Sequence, residues 1–136
     1  MERVVGLVTE RVMQTAYRTK VLLVEDESLI AELVREVLDE HGFDVYVVAT
    51  AEAGLARLET DMDIDVLFTD INLGGVMDGA ELARRARALR PELPIVYASG
   101  RHDATTIAPL VSRSLFLSKP YRPEDVCTLL DRLTVH

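Results

Sequence analysis

Val66-Leu67-Phe68-Thr69-Asp70 decides the fold: four residues fit for a buried strand, then a carboxylate, then the glycine-bearing Ile71-Asn72-Leu73-Gly74-Gly75. A short apolar run bounded by turn signals reads as a strand covered on both faces. Asp70 then sits where such a strand leaves the core, and open α/β sheets place their chemistry at these ends. On this run alone Asp70 serves equally well as a helix cap or turn former.

Working outward, the same grammar repeats. Lys20 to Val24 is a second apolar run, and it ends on Glu25-Asp26-Glu27. Ser28 can open a helix in which Ile30, Leu33, Val34, Val37 and Leu38 recur at helical spacing until Gly42 stops it. Val45 to Val48 reads as a strand and Ala51 to Leu58 as a helix. Asp78 followed by Glu81 has the spacing of a capping box, so a helix should run from about Gly79 to Leu89. Ile95 to Ala98 is a strand. His102 to Ser112 is a fourth helix with Pro109 in what would be its interior. Ser114 to Leu117 is the last strand, and Pro123 starts a final helix carrying Val126, Leu129, Leu130 and Leu133. Five strands alternating with five helical segments predict a doubly wound parallel α/β sheet with helices on both faces.

Composition narrows the function. A chain of 136 residues is one domain with room for a real core. The net charge of −8, from 23 acidic and 15 basic residues without a basic run, disfavours direct nucleic-acid binding and suits a cation site. Cys127 stands alone, which excludes an internal disulfide framework; among Val126, Leu129 and Leu130 it reads as a packed thiol. His41, His102 and His136 show no metal-ligand spacing. No apolar stretch approaches a membrane span and Val4 to Val8 is too short for a signal core, so a cytoplasmic protein is expected. Residues 1–19 read as an N-terminal extension. Val4, Val5, Leu7, Val8 and Val12 leave two readings open for it: a simple leader, or an amphipathic arm that docks on this domain or a second copy.

The ends of four strands now carry polar groups: Glu25 and Asp26, Asp70, Ser99, and Lys119. Parallel strands bring these ends to one edge. Three carboxylates there repel one another unless a cation sits among them, and a hard cation such as Mg²⁺ suits carboxylate oxygens. Lys119 adds a positive charge, and the Ser99 hydroxyl can donate a hydrogen bond. Such a site can hold an anion on Asp70, and a carboxylate can itself act as a nucleophile toward phosphorus.

These residues resemble the receiver domain of two-component response regulators, over Lys20 to about Leu133. The resemblance is carried by Val21-Leu22-Leu23-Val24-Glu25-Asp26-Glu27, Asp65 through Asp70, Pro94 through Gly100, and Phe116-Leu117-Ser118-Lys119-Pro120. It implies a flavodoxin-like sheet of strand order 2-1-3-4-5 and a stand-alone receiver over residues 20–136. By the same resemblance Asp70 is the phosphoacceptor, Glu25 and Asp26 belong to the Mg²⁺ site with Asp70, and Asn72 supplies a backbone carbonyl to it. Ser99 and Lys119 engage the phosphoryl group, and Phe116 is the switch aromatic that rotates as Ser99 moves. A sensor histidine kinase or a histidine phosphotransfer protein is the implied donor and a downstream effector protein the receiver of the signal. A homodimer stays open, and no membrane contact is expected. The chain departs from the family in having Gly74 where a proline is usual, in a connection to Asp78 one residue longer than common, and in the Pro109 break; Asn72 and Arg101 match positions that tune phosphoryl lifetime.

Rival readings carry different expectations. An Asp-nucleophile phosphatase of the haloacid dehalogenase type has Asp-x-Asp where this chain has Asp70-Ile71-Asn72. A flavodoxin-like binder should have a glycine-rich loop after its first strand, where this chain has Glu25-Asp26-Glu27, which repels phosphate without a metal. A degenerate receiver acting only as an interaction module would lack one of the key groups. The reading is therefore a signalling module and not an enzyme.

Overall fold

The computed structural model describes residues 18–100 and 111–134. The N-terminal arm (1–17) lies outside that range. So do residues 102–110 of the expected fourth helix, with Pro109, and so does Arg101. The described elements are β1 (Lys20–Val24), α1 (Ser28–Glu40), β2 (Asp44–Val48), α2 (Ala51–Thr60), β3 (Val66–Asp70), α3 (Gly79–Leu89), β4 (Ile95–Ser99), β5 (Ser114–Ser118) and α4 (Pro123–Thr134). The strands form one sheet in the order β2-β1-β3-β4-β5, every pairing parallel. The expected fold class and strand order are what the chain adopts.

Alternation along each strand sends successive side chains to opposite faces. Leu22, Val24, Leu67, Ile95 and Tyr97 meet Leu58 of α2 and Leu82, Ala83 and Ala86 of α3 on one side. Val21, Leu23, Phe68 and Val96 meet Val34 and Leu38 of α1 and Val126, Cys127 and Leu130 of α4 on the other. Every residue of β3 and of β4 is buried, because these strands are covered on both faces and flanked on both edges. Each large apolar side chain so buried contributes about 1.5–3 kcal/mol, so truncating Leu67 would cost several times the effect of an ordinary surface change. Cys127 is packed as its neighbours suggest, and burial pushes its thiol pKa up.

Local signals set the helix ends. Gly42, at φ +106°, lets α1 finish in a Schellman turn: Phe43 N–H donates to the Leu38 carbonyl at 3.0 Å and Gly42 N–H to the Asp39 carbonyl at 3.1 Å. Arg18 donates to the Asp39, Gly42 and Phe43 carbonyls, filling acceptors this helix end leaves open. At the other end Ser28 is the first helical residue and not the cap; Glu27 takes the cap position and uses no side-chain bond there. Asp78 caps α3 by accepting from Glu81 N–H at 2.9 Å. The reciprocal half of a capping box does not form, because the Glu81 carboxylate is taken by Arg84 and Arg85.

Strand order makes the site possible. β2 and β3 lie on opposite sides of β1, so the connections leaving β1 and β3 diverge and open a crevice above the carboxyl ends of these two strands. Among the described residues no helix is long and apolar enough to cross a membrane.

Candidate functional site

Glu25 follows β1 without leaving the sheet. Its N–H donates to the Val48 carbonyl at 3.1 Å, which leaves the side chain only 3% exposed at the rim of the crevice. The Glu25 carboxylate accepts from Glu27 N–H at 3.0 Å. Burial pushes its pKa above the usual glutamate value; the Glu27 N–H opposes that shift, and the nearby Asp70 charge adds to it. Asp26, the next residue, is exposed and turns its carboxylate to the β3–α3 connection, accepting from Gly74 N–H at 3.2 Å.

Asp70 closes β3 and is buried. Its two oxygens have different partners: Lys119 Nζ lies 2.7 Å from Oδ2, and Asn72 N–H donates to Oδ1 at 3.2 Å. Burial draws the Lys119 pKa down, but the hydrogen bond and charge of Asp70 outweigh it, and the net shift is upward. The ammonium is therefore fully charged at neutral pH. Lys119 follows β5, and its N–H donates to the Ser99 carbonyl at 2.7 Å, which ties the end of β5 to the fully buried Ser99 at the end of β4. The Lys119–Pro120 peptide is cis.

One carboxylate oxygen from each of Glu25, Asp26 and Asp70 lies within 4.8 Å of the others. A Mg²⁺ ion holds oxygens at about 2.1 Å, which puts octahedral ligands about 3–4 Å apart, so a small side-chain adjustment would let all three share an ion. The donor set is all oxygen and anionic, as a hard divalent cation requires. The residues fit the group.

The expected site residues thus divide in space. Glu25, Asp26, Asp70, Asn72 and Lys119 come together, and Ser99 stands on the neighbouring strand end. Phe116 is not in this cluster: it lies half-buried on β5, across from Tyr97 in register and against the core shared with α3.

Three contributors carried no plain signal in the sequence. Gly79 opens α3 so close to β3 that a Cβ there would lie 2.0 Å from the Asp70 carbonyl oxygen and 2.8 Å from Ile71 Cα. Only a residue without a side chain lets α3 start there, and the glycine after the Asp78 cap was the one visible hint. Tyr121 packs edge-on against Phe68, ring centroids 5.9 Å apart. Burial, with Glu25 and Asp70 nearby, pushes its phenol far above the ordinary tyrosine range. With Ile30, Leu33, Val34, Lys119 and Pro120 it lines an apolar groove of about 410 Å³ beside the acidic cluster. Glu52, read only as a residue of α2, reaches across to accept from Met77 N–H at 3.1 Å.

Comparison with known proteins adds an independent line. A family model described as the response regulator receiver domain matches residues 21–131. The chain is 31% identical over 122 residues to the transcriptional regulatory protein CreB of Escherichia coli, covering 85% of this chain and 52% of that protein. It is 29% identical over 115 residues to the nitrogen assimilation regulatory protein NtrX of Azorhizobium caulinodans, covering 82% of this chain and 25% of that one. The chain thus spans between a quarter and about half the length of these relatives. Among solved structures, a response regulator receiver protein from Sinorhizobium medicae superposes with a TM-score of 0.78 at 29% identity, covering 87% of this chain and 95% of that chain.

Proposed function

The chain belongs to the response regulator receiver family, and from that premise we propose that Asp70 is its phosphoacceptor in two-component signalling. The observation that carries the reading is the position of the Asp70 carboxylate, with Lys119 Nζ at 2.7 Å on one side and the Glu25 and Asp26 oxygens within 4.8 Å on the other.

The roles follow from charge. An Asp70 oxygen attacks phosphorus, a P–O bond forms, and the P–N bond of a donor phosphohistidine breaks with the electron pair leaving on the imidazole. Lys119 gives up part of its contact with the carboxylate to meet the incoming phosphoryl oxygens. Ser99 stands one strand away with a hydroxyl that can follow the same oxygens. Glu25, Asp26 and Asp70, with the Asn72 carbonyl, would hold Mg²⁺, which when bound offsets charge on the transferring group. The new phosphoryl charge is the signal, because it draws Ser99 and Lys119 toward itself and biases the half-buried Phe116 between two positions. A sensor kinase or histidine phosphotransfer protein supplies the phosphoryl group, an effector protein reads the result, and both act in the cytoplasm.

The test uses acetyl phosphate and Mg²⁺ with intact-mass detection. Wild type should gain a single phosphoryl adduct that needs Mg²⁺, and Asp70→Asn should gain none. A wild type that takes no adduct and does not bind beryllofluoride would leave the module as a phosphorylation-independent contact surface.

A further inference from the structure

The connection from β3 to α3 departs from the family pattern, and its contacts give that departure a use. Leu73 is buried and Met77 packs on the core shared by α2 and α3, but between them Val76 is fully exposed. Residues 74–76 therefore have little packing of their own. The two ends of the stretch 74–77 are held instead by carboxylates from other parts of the fold: Gly74 N–H donates to Asp26 Oδ2 at 3.2 Å, and Met77 N–H donates to Glu52 Oε2 at 3.1 Å. The other Glu52 oxygen faces Gly75, where a Cβ would lie 3.9 Å away and where φ is +108°. A proline at position 74 would have no N–H to offer Asp26.

We propose that Glu52 is a positioning residue for the cation site, acting through this loop: Glu52 fixes Met77, the loop fixes Gly74, and the Gly74 amide orients the Asp26 carboxylate. The inference rests on the cation-site reading above and adds a residue to it. Asp26 is the exposed member of the triad, so among the three carboxylates it has the most rotamer freedom to lose on binding an ion. Donors that orient a ligating carboxylate typically set metal affinity by about 10–100-fold. Both hydrogen bonds are exposed, which places the effect at the low end of that range.

Mg²⁺ titration calorimetry on the full chain, with amide hydrogen exchange over residues 74–77, tests it. Glu52→Ala should bind Mg²⁺ about tenfold more weakly than wild type, with faster exchange at Met77 and Gly74. Glu52→Gln keeps an oxygen that can accept from Met77 and loses only a solvent-screened charge, so its affinity should stay within about twofold of wild type. Gly74→Pro removes the donor to Asp26 and should match Glu52→Ala. Equal losses in Glu52→Ala and Glu52→Gln would reduce Glu52 to a distant charge and overturn the proposal. So would wild-type affinity in Glu52→Ala. A wild type that binds no Mg²⁺ would bring down the cation-site reading itself and this inference with it.

Discussion

Substituting Gly79 by alanine separates a close backbone approach from ordinary helix propensity, because the two act in opposite directions. In an unconstrained helix Gly→Ala stabilises by up to about 1 kcal/mol. Here the added methyl would lie 2.0 Å from the Asp70 carbonyl oxygen, 2.8 Å from Ile71 Cα and 2.9 Å from the Asp70 carbonyl carbon. All three atoms are backbone, so no rotamer change relieves the clash; α3 and the end of β3 must part by roughly 1 Å. Overpacking of this kind costs about 1–3 kcal/mol, and backbone atoms on both sides place this case near the top of that range. At about 4 °C per kcal/mol for a domain of this size, Tm should fall by about 10 °C. The displacement also moves Asp70 relative to Lys119, and a misplacement of about 1 Å in a reacting group can cost about 100-fold in rate. The assays are a thermal melt and the rate of adduct formation from acetyl phosphate. Gly54→Ala in α2 is the control: its Cβ would meet side-chain atoms of Val24, Leu82 and Val48 at 3.1, 3.3 and 3.7 Å and no backbone, so its melting temperature should fall by less than that of Gly79→Ala. A Gly79→Ala protein that melts at or above the wild-type temperature would refute the reasoning.

Two further predictions concern the charges. Lys119→Met leaves the buried Asp70 carboxylate without its cation; because Lys119 is itself 27% exposed, the loss of metal-free stability should be about 1–2 kcal/mol, below the range for a fully buried pair. The same variant should bind Mg²⁺ more tightly than wild type, since a positive charge has left the site, and a weaker affinity by calorimetry would contradict this. For Glu25, burial raises the folded-state pKa above the unfolded value near 4.5, so its contribution to stability is fully present below pH 4.5 and is lost as pH rises through the folded value. Metal-free Glu25→Gln should therefore gain stability relative to wild type between pH 4.5 and pH 7, and a stability difference that stays flat across that interval in urea titrations would count against the assignment.

Most of the fold was legible because each strand and helix carries its own period and punctuation. Val66 through Asp70 reads as a buried strand wherever it is placed, Gly42 can end a helix only in a few ways, and Asp78 caps α3 with its own side chain. The carboxylate cluster was legible for a related reason: once the strands are parallel, Glu25, Asp26 and Asp70 must share an edge. What the sequence did not show are contacts whose two halves have no local meaning. Gly79 looks like a permissive residue after a cap until α3 is seated against the Asp70 carbonyl. Glu52 looks like an acidic residue favouring the start of a helix until the β3–α3 connection passes beside it. Glu81 has the spacing of a capping box, but the nearby arginines compete for its carboxylate, and propensity alone cannot rank those partners.

The acidic cluster is stable enough to fold because the backbone shares the work of holding it. Each carboxylate of the triad accepts a main-chain N–H, from Glu27 for Glu25, from Gly74 for Asp26 and from Asn72 for Asp70. These bonds offset desolvation and fix geometry, but they carry no net charge. Among the described residues Lys119 is the only cation bonded to any of the three, so these three carboxylates and one ammonium leave two negative charges, which is what a divalent cation neutralises. A phosphoryl group on Asp70 replaces one carboxylate charge with about 1.5–2 units of negative charge, so the deficit grows when the site is modified. A cation and a phosphoryl group at this site would therefore strengthen each other's hold on the same residues, and by linkage the coupling would be equal in both directions. Under the proposed function Lys119 would have to serve Asp70 and the phosphoryl oxygens at once, and a cation held by the triad would supply the charge it cannot.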